Sequence, residues 1–199
     1  MVAAGAGTRF GKPKQFERLN GRRVVDWSLS TARELSDHVV LVVPADHIDH
    51  EEPLADVVVA GGDTRSASVR AGLTAVPVEV THVLVHDAAR PVPLPPLWSR
   101  VVDALRAGAD AVVPVVPVTD TLRERQGSTV DRERLAAVQT PQGFRLDVLR
   151  KAHASGAEGT DDASLAEAIG AKVVLVEGDP TNIKITDASH LAMAELLVR

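Results

Sequence analysis

The chain has no cysteine. That removes disulfides, a thiolate nucleophile and cysteine-ligated zinc, and it fits a reducing compartment. It has no tyrosine, and aromatic residues make up only 3% of the sequence, so platforms for stacking nucleic-acid bases are scarce. Positive charge is not in excess either. The formal net charge is −5, which gives no hint of the basic patch that a nucleic-acid backbone requires. Long apolar runs are missing: stretches such as residues 39–43 are far too short to span a bilayer. Residues 1–10 lack the charged head and apolar core of a signal peptide. These absences predict a cytoplasmic protein that acts on small molecules, with neither a nucleic-acid nor a membrane partner.

What is present suits one domain spanning residues 1–199, with 45% hydrophobic residues to build its core. Short β-branched runs lie at residues 38–43, 56–59, 82–85, 111–118 and 172–176. They are apolar almost throughout, as in parallel strands covered on both faces. Amphipathic stretches alternate with them, at 24–35, 65–76, 97–107, 147–154, 162–169 and 188–198. The alternation predicts an α/β fold with a mostly parallel layered sheet. Thr64 or Asp63, and Asp161, are placed to cap helices. Residues 119–137 do not fit the layers. Two short strands, 121–125 and 129–132, flank a turn at Gln126-Gly127, and such a hairpin has little apolar surface of its own. It is expected to lean on something else, most simply a second copy of the chain. The plainer alternative is a surface loop.

A first strand, Met1 to Ala4, runs into Gly5-Ala6-Gly7-Thr8-Arg9-Phe10-Gly11-Lys12-Pro13-Lys14. Glycines let backbone N–H groups approach phosphate oxygens, and Arg9, Lys12 and Lys14 add cations. The G-x-G-x-x-x-G spacing is one residue off the dinucleotide fingerprint, and no Gly-Lys-Ser/Thr of a Walker loop follows. A polyphosphate loop is the functional reading, and a simple surface turn is the plainer one. Gly61-Gly62-Asp63-Thr64-Arg65-Ser66-Ala67-Ser68 joins a strand to a helix and gathers N–H groups, an acid and a hydroxyl. His86-Asp87-Ala88-Ala89-Arg90 closes a buried strand, where ligands of open α/β sheets bind. Asp87 is placed for a magnesium or ribose contact and Arg90 for a phosphate, with a strand-end salt bridge as the alternative for Arg90. Residues 138–144 read as a polar turn, and Lys184 lies between Ile183 and Ile185. His47, His50, Glu51 and Glu52 lack a further ligand and read as a solvated helix face. A hydrolase triad has no Gly-x-Ser-x-Gly elbow to support it.

The strings AAGAGTRFG with PKQF, GGDTRSASV, VHDAARP, VQTPQGF, TDDASLAE and NIKIT stand in this order across nearly the whole chain. Together they resemble the 2-C-methyl-D-erythritol 4-phosphate cytidylyltransferases. The resemblance implies a Rossmann-like fold of the nucleotide-diphospho-sugar transferase type, with residues 119–137 projecting as a dimerisation β-arm of a homodimer. It implies a reaction in which CTP and a sugar-alcohol phosphate give a cytidine diphosphate product and pyrophosphate, with Mg2+ as cofactor. Arg9 and Lys14 would stabilise the reacting α-phosphate, with Lys12 able to share the second role. Ala3, Ala4, Gly5, Gly7, Gly62, Asp63, Ser68 and Asp87 would hold the nucleotide, with Asp87 also beside the metal. Thr121 and Arg132 would reach into the neighbouring subunit's site. Arg132 and Lys184 would hold the substrate phosphate, with Arg90 and Thr140 close by. Val2 stands where the family has proline, and no apolar residues precede Met1, which leaves the true start open. No fused cyclodiphosphate synthase is expected. Enzymes that use ribitol 5-phosphate share most of these strings, and a non-catalytic nucleotide-binding homologue is a further alternative.

Overall fold

The structure is a computed structural model that describes residues 1–7 and 10–198. Its elements run β1 (Arg18–Leu19), β2 (Arg22–Arg23), α1 (Val24–Leu35), β3 (Val40–Val43), β4 (Val57–Ala60), α2 (Arg65–Thr74) and β5 (His82–Val85). They continue with α3 (Pro95–Arg106), β6 (Ala111–Pro117), β7 (Leu122–Arg123), β8 (Thr129–Val130), β9 (Ala136–Val138), β10 (Gln142–Arg145), α4 (Leu146–His153), α5 (Asp162–Ala168), β11 (Val173–Glu177) and α6 (Ala188–Leu197). Thr64 accepts from Ala67 N at 3.0 Å and Asp161 from Ser164 N at 2.9 Å, so both caps form as expected.

Across the central layer the strands lie in the order β4, β3, β5, β10, β6, β11, with the first residues of the chain between β3 and β5. Strand β10 opposes the common direction, running antiparallel to both β5 and β6, and the short β9 pairs antiparallel with the far end of β6. The fold is therefore the mostly parallel α/β layer that the sequence predicts. Helices α1 and α3 cover one face, and α2, α4 and α5 cover the other.

Strand β10 is where the sequence reading errs, because its residues 142–144 lie in the stretch taken as a polar turn. Gln142 is fully buried, with Nε2 donating to Asp161 Oδ2 at 2.8 Å and Oε1 accepting from Ala163 N at 3.3 Å. Phe144 packs on the same side, among Leu149, Leu165 and Val113. Gly143 faces the other way, under α3. A Cβ built there would lie 2.6 Å from Val101 Cγ1 and 2.8 Å from Leu105 Cδ1. Gly143→Val is therefore expected to destabilise the fold by about 1–3 kcal/mol through overpacking, as measured by urea denaturation.

The first strand is shorter than expected. Val2 bridges Val42 on one side and Asp87 on the other, and Ala3 N bonds to Val42 O at 2.7 Å. Beyond Met1, towards the amino ends of the strands, β3 and β5 part around a cavity of about 740 Å³ walled by residues such as Val39, Leu73, Val83 and Leu105. The Met1 amine donates to Val40 O at 2.9 Å, and burial lowers its pKa to about 6. Neither Asp87 nor Lys184 lines this cavity, most of whose wall lies towards the amino ends of the strands, so it is distinct from the site at the carboxyl ends.

Of the residues read as a solvated helix face, His50 and Glu51 are exposed, but no helix runs through 48–52. Glu52 is buried and takes Nη1 and Nη2 of Arg23 at 2.8 and 2.7 Å, and the His47 ring stacks on Phe16 at 4.2 Å.

Candidate active site

The carboxyl ends of the parallel strands carry the sequence motifs, and close packing brings them together. Gln15 Nε2 donates to Ala3 O at 2.6 Å and to Gly5 O at 3.0 Å, which ties the glycine loop to its own strand. Gly7 has φ 65° and its missing Cβ would lie 2.0 Å from Lys12 O, so this loop closes only around glycine. Lys14 then opens a short 3-10 turn, Lys14–Phe16. Lys12 turns away, its ammonium held by Glu17 at 2.7 Å. Thr8 and Arg9 lie outside the described residues, so the Arg9 expectation is carried by sequence alone.

The second loop presses on the first. A Cβ at Gly61 would lie 2.3 Å from Ala4 Cβ, and one at Gly62 would lie 2.6 Å from Ala67 Cβ. The double glycine thus sets how closely residues 61–62 approach Ala4 and the start of α2. Asp63 is exposed beside them. Ser68 is buried, with its hydroxyl 2.9 Å from Thr64 O and 3.3 Å from Gly62 O. In this structure it braces the loop.

Asp87 sits at the centre. Its Oδ2 pairs with Lys184 Nζ at 2.6 Å and its Oδ1 faces Arg65 Nε at 3.4 Å. Burial works against its charge, yet Lys184, Arg65 and Arg90 outweigh that and hold the carboxyl well below the usual range. The segment carrying Lys184 docks through Ile185 N to Ala89 O at 2.8 Å. The lone lysine of that segment is thereby brought 97 residues back along the chain to Asp87.

Thr140 and Arg90 make protein contacts that the sequence did not show. Thr140 is buried; its Oγ1 accepts from Asp87 N at 3.1 Å and lies 3.1 Å from His86 Nδ1. Arg90 Nη1 donates to Asn182 O at 2.6 Å and Nη2 to Val138 O at 3.4 Å, so this cation clamps the Lys184 segment to the root of the arm. Both residues shape the site in this structure through protein contacts. Thr140→Val is expected to lower kcat about tenfold by freeing the Asp87 backbone, a change that steady-state kinetics on the folded variant would register.

His86 Nε2 lies 3.2 Å from Arg90 O, and burial pulls its pKa down to about 4. The unfolded imidazole takes up a proton near pH 6.5, whereas the folded one does so only near 4. The unfolded chain therefore binds the extra proton between these values, and stability falls as pH is lowered through them. The loss is on the order of 3 kcal/mol. Urea denaturation at pH 7 and pH 5 should display this slope, and His86→Gln should flatten it.

The arm forms as a hairpin. Leu122 pairs with Val130 and Arg123 with Thr129, over shorter strands than expected. Arg132 donates to Thr119 O at the arm's base, and Thr121 is exposed. No hydrogen bond or ion pair among the described residues joins either of them to the Asp87 cluster of the same chain. The hairpin and its root leave Leu122, Leu135 and Val138 partly exposed.

The sequence pattern of the 2-C-methyl-D-erythritol 4-phosphate cytidylyltransferases matches residues 1–199. The chain belongs to this family. An enzyme of that name from Rhodococcus jostii is 45% identical, with 100% of this chain and 93% of the relative covered. One from Nocardia farcinica is 43% identical over 100% of this chain and 92% of its own length. The crystal structure of the Thermus thermophilus enzyme superposes with a TM-score of 0.85 at 41% identity, covering 98% of this chain and 96% of that one. Membership makes the chain a nucleotidyltransferase. Among the described residues, no helix is long and apolar enough to cross a membrane.

Two charged residues at the site were quoted within the strings yet not singled out: Arg65, and Asp162 behind it. Each carried a signal. A cation in the first turn of a helix opposes the helix dipole, so Arg65 requires anionic partners. Asp161 caps α5, which leaves the adjacent Asp162 without a local role.

Proposed function

We propose that the chain transfers the cytidylyl group of CTP to 2-C-methyl-D-erythritol 4-phosphate, giving 4-diphosphocytidyl-2-C-methyl-D-erythritol and pyrophosphate. The observation that carries this reading is the Asp87–Lys184 pair at the strand ends, next to a glycine loop that opens onto Lys14. Family membership over the full chain favours this acceptor over ribitol 5-phosphate, and favours an enzyme over a binding homologue.

The acceptor phosphate is its own nucleophile. Its second pKa is about 6, so near neutral pH it arrives as a dianion and needs no general base. The difficulty is bringing one polyanion to another, which calls for positive charge and alignment. Lys14, with Arg9, meets the charge that builds at the α-phosphate. Ala3, Ala4, Gly5, Gly7, Gly62, Asp63 and Ser68 form the nucleotide cradle. Lys184 leaves Asp87 for the incoming phosphate, and Arg132 of a second copy completes its grip. Thr121 accompanies Arg132 on the same arm.

Asp87 suits Mg2+, an ion that needs one or two carboxylates and takes its other ligands from phosphates and water. The described residues offer no cluster of three or more metal-binding side chains, which is compatible with that sparse mode. Bound to Asp87, the ion would neutralise triphosphate charge. The acidic, cysteine-free chain is assigned to the cytoplasm, as a homodimer joined through the 119–137 arm.

Pyrophosphate release tests the reading. Purified chain, CTP and Mg2+ should release it with methylerythritol phosphate and far more slowly with ribitol 5-phosphate. Release with ribitol phosphate alone would replace the acceptor. No release with either would leave only a nucleotide-binding protein.

A further inference from the structure

A line of charged side chains runs from the back of the domain to Asp87. Asp162 is fully buried at the first turn of α5. Its Oδ1 lies 3.0 Å from His153 Nε2, and its Oδ2 forms an ion pair with Arg65 Nη1 at 2.8 Å, an approach by charge that is not aligned as a hydrogen bond. His153 is buried too, and its Nδ1 has no hydrogen-bond partner among the described residues. A buried N–H without an acceptor is costly, so the proton belongs on Nε2, where it is donated to Asp162. The cation that faces the other carboxylate oxygen of Asp162 is Arg65. From the other edge of its guanidinium, Arg65 faces Asp87 through Nε at 3.4 Å.

We infer that Asp162, with His153 behind it, is a positioning residue: it anchors the Arg65 guanidinium so that Arg65 holds the Asp87 carboxylate in place. This rests on the roles given above to Asp87 and Lys184. Lys184 is about one-third exposed and sits on a flexible stem, so it can move from Asp87 to an incoming phosphate. Asp87 then depends on Arg65. A guanidinium held at one edge only would be drawn toward the nearby triphosphate. One held between two carboxylates, by Asp162 at Nη1 and by Asp87 at Nε, is restrained by charge from both sides.

The surroundings keep this geometry when the charge pair is altered. Ser66 Oγ accepts from Gly159 N at 3.2 Å, and Arg70 donates to Ala157 O at 3.0 Å and to Glu158 at 2.7 Å. Gln142 adds its bonds to Asp161 and Ala163 N. The segment before α5 is thus pinned to α2 and to β10 by contacts that do not involve Asp162.

The test is a double-mutant cycle on kcat per folded chain, read by pyrophosphate release, with the folded fraction taken from the unfolding curve. Asp162→Asn and Arg65→Lys should each lower kcat by about 10- to 100-fold, while KM for either substrate stays within about threefold. Arg65→Lys keeps the charge, but a point ammonium cannot bridge the two carboxylates, so it does not rescue. The double variant should be no slower than the worse single one, because both changes break the same unit. Native kcat in Asp162→Asn, or losses that multiply in the double variant, would overturn the inference. Should Asp162→Asn fold poorly, Arg65→Met combined with Asp162→Asn removes both charges and leaves none unpaired. It should show the same loss, and native kcat there would overturn the inference as well. A native chain that releases no pyrophosphate would instead defeat the underlying assignment, so the two failures are distinct.

Discussion

Lys14→Ala should turn over about 10²–10³ times more slowly than the native chain while keeping its melting temperature. The magnitude is that of losing one preorganised donor at the centre where charge develops. Preorganisation comes from the residues on either side of Lys14. Gln15 is buried and bonds back to Ala3 O and Gly5 O, and the Gly7 turn closes against Lys12 O. The lysine therefore projects from a fixed base, and its removal should cost rate without loosening the fold. Lys12→Ala serves as the comparison. Lys12 is tied to Glu17 at 2.7 Å on a half-exposed stem, so its loss should change kcat less than threefold. Single-turnover kinetics at saturating CTP would separate the two. A Lys12 effect as large as that of Lys14 would transfer the phosphate role between them.

The second large effect concerns the arm. Arg132→Ala should raise KM for the sugar phosphate by about 10²-fold, or roughly 3 kcal/mol of lost binding to a charged group. An Arg132→Ala chain mixed with a Lys14→Ala chain should regain activity. In the proposed dimer each protomer would supply Lys14 to its own site and Arg132 to its partner's, so one of the two sites in the mixed dimer would have both. The apolar residues left partly exposed on and below the hairpin, Leu122, Leu135 and Val138, support a paired arm, since a hairpin this short is marginal alone. Purified mixtures that stay as slow as their components would argue for a site built within one chain.

The sequence made the layers legible because burial on both faces leaves a simple trace. Helix α1 was bounded at residues 24–35, as observed, because its apolar stripe begins and ends sharply. Strand β10 escaped because its core is built from Gln142 and Gly143, a polar residue satisfied by Asp161 and a glycine that admits α3. Neither looks like strand to a reading based on hydrophobic alternation. The site was legible as a set of motifs and not as a set of contacts. Arg90 was read as a phosphate contact because ligands of open α/β sheets bind at strand ends, with a strand-end salt bridge as the alternative; in the structure its guanidinium donates to two carbonyls. Thr140 was placed near the substrate, and in the structure its hydroxyl accepts from Asp87 N, a contact the sequence did not show. The line from His153 through Asp162 and Arg65 to Asp87 joins α4, α5, α2 and the end of β5, and no local pattern announces a connection of that kind.

The central claim is that the protein supplies charge and alignment, and that no side chain removes a proton. The pH dependence of kcat/KM for the sugar phosphate tests it most directly. A single rise with a midpoint near 6, set by the substrate's own phosphate and shared by the native and Lys184→Ala chains, is the predicted result. A midpoint that moves with a side-chain substitution, or a second rise above neutrality, would contradict it and require a base.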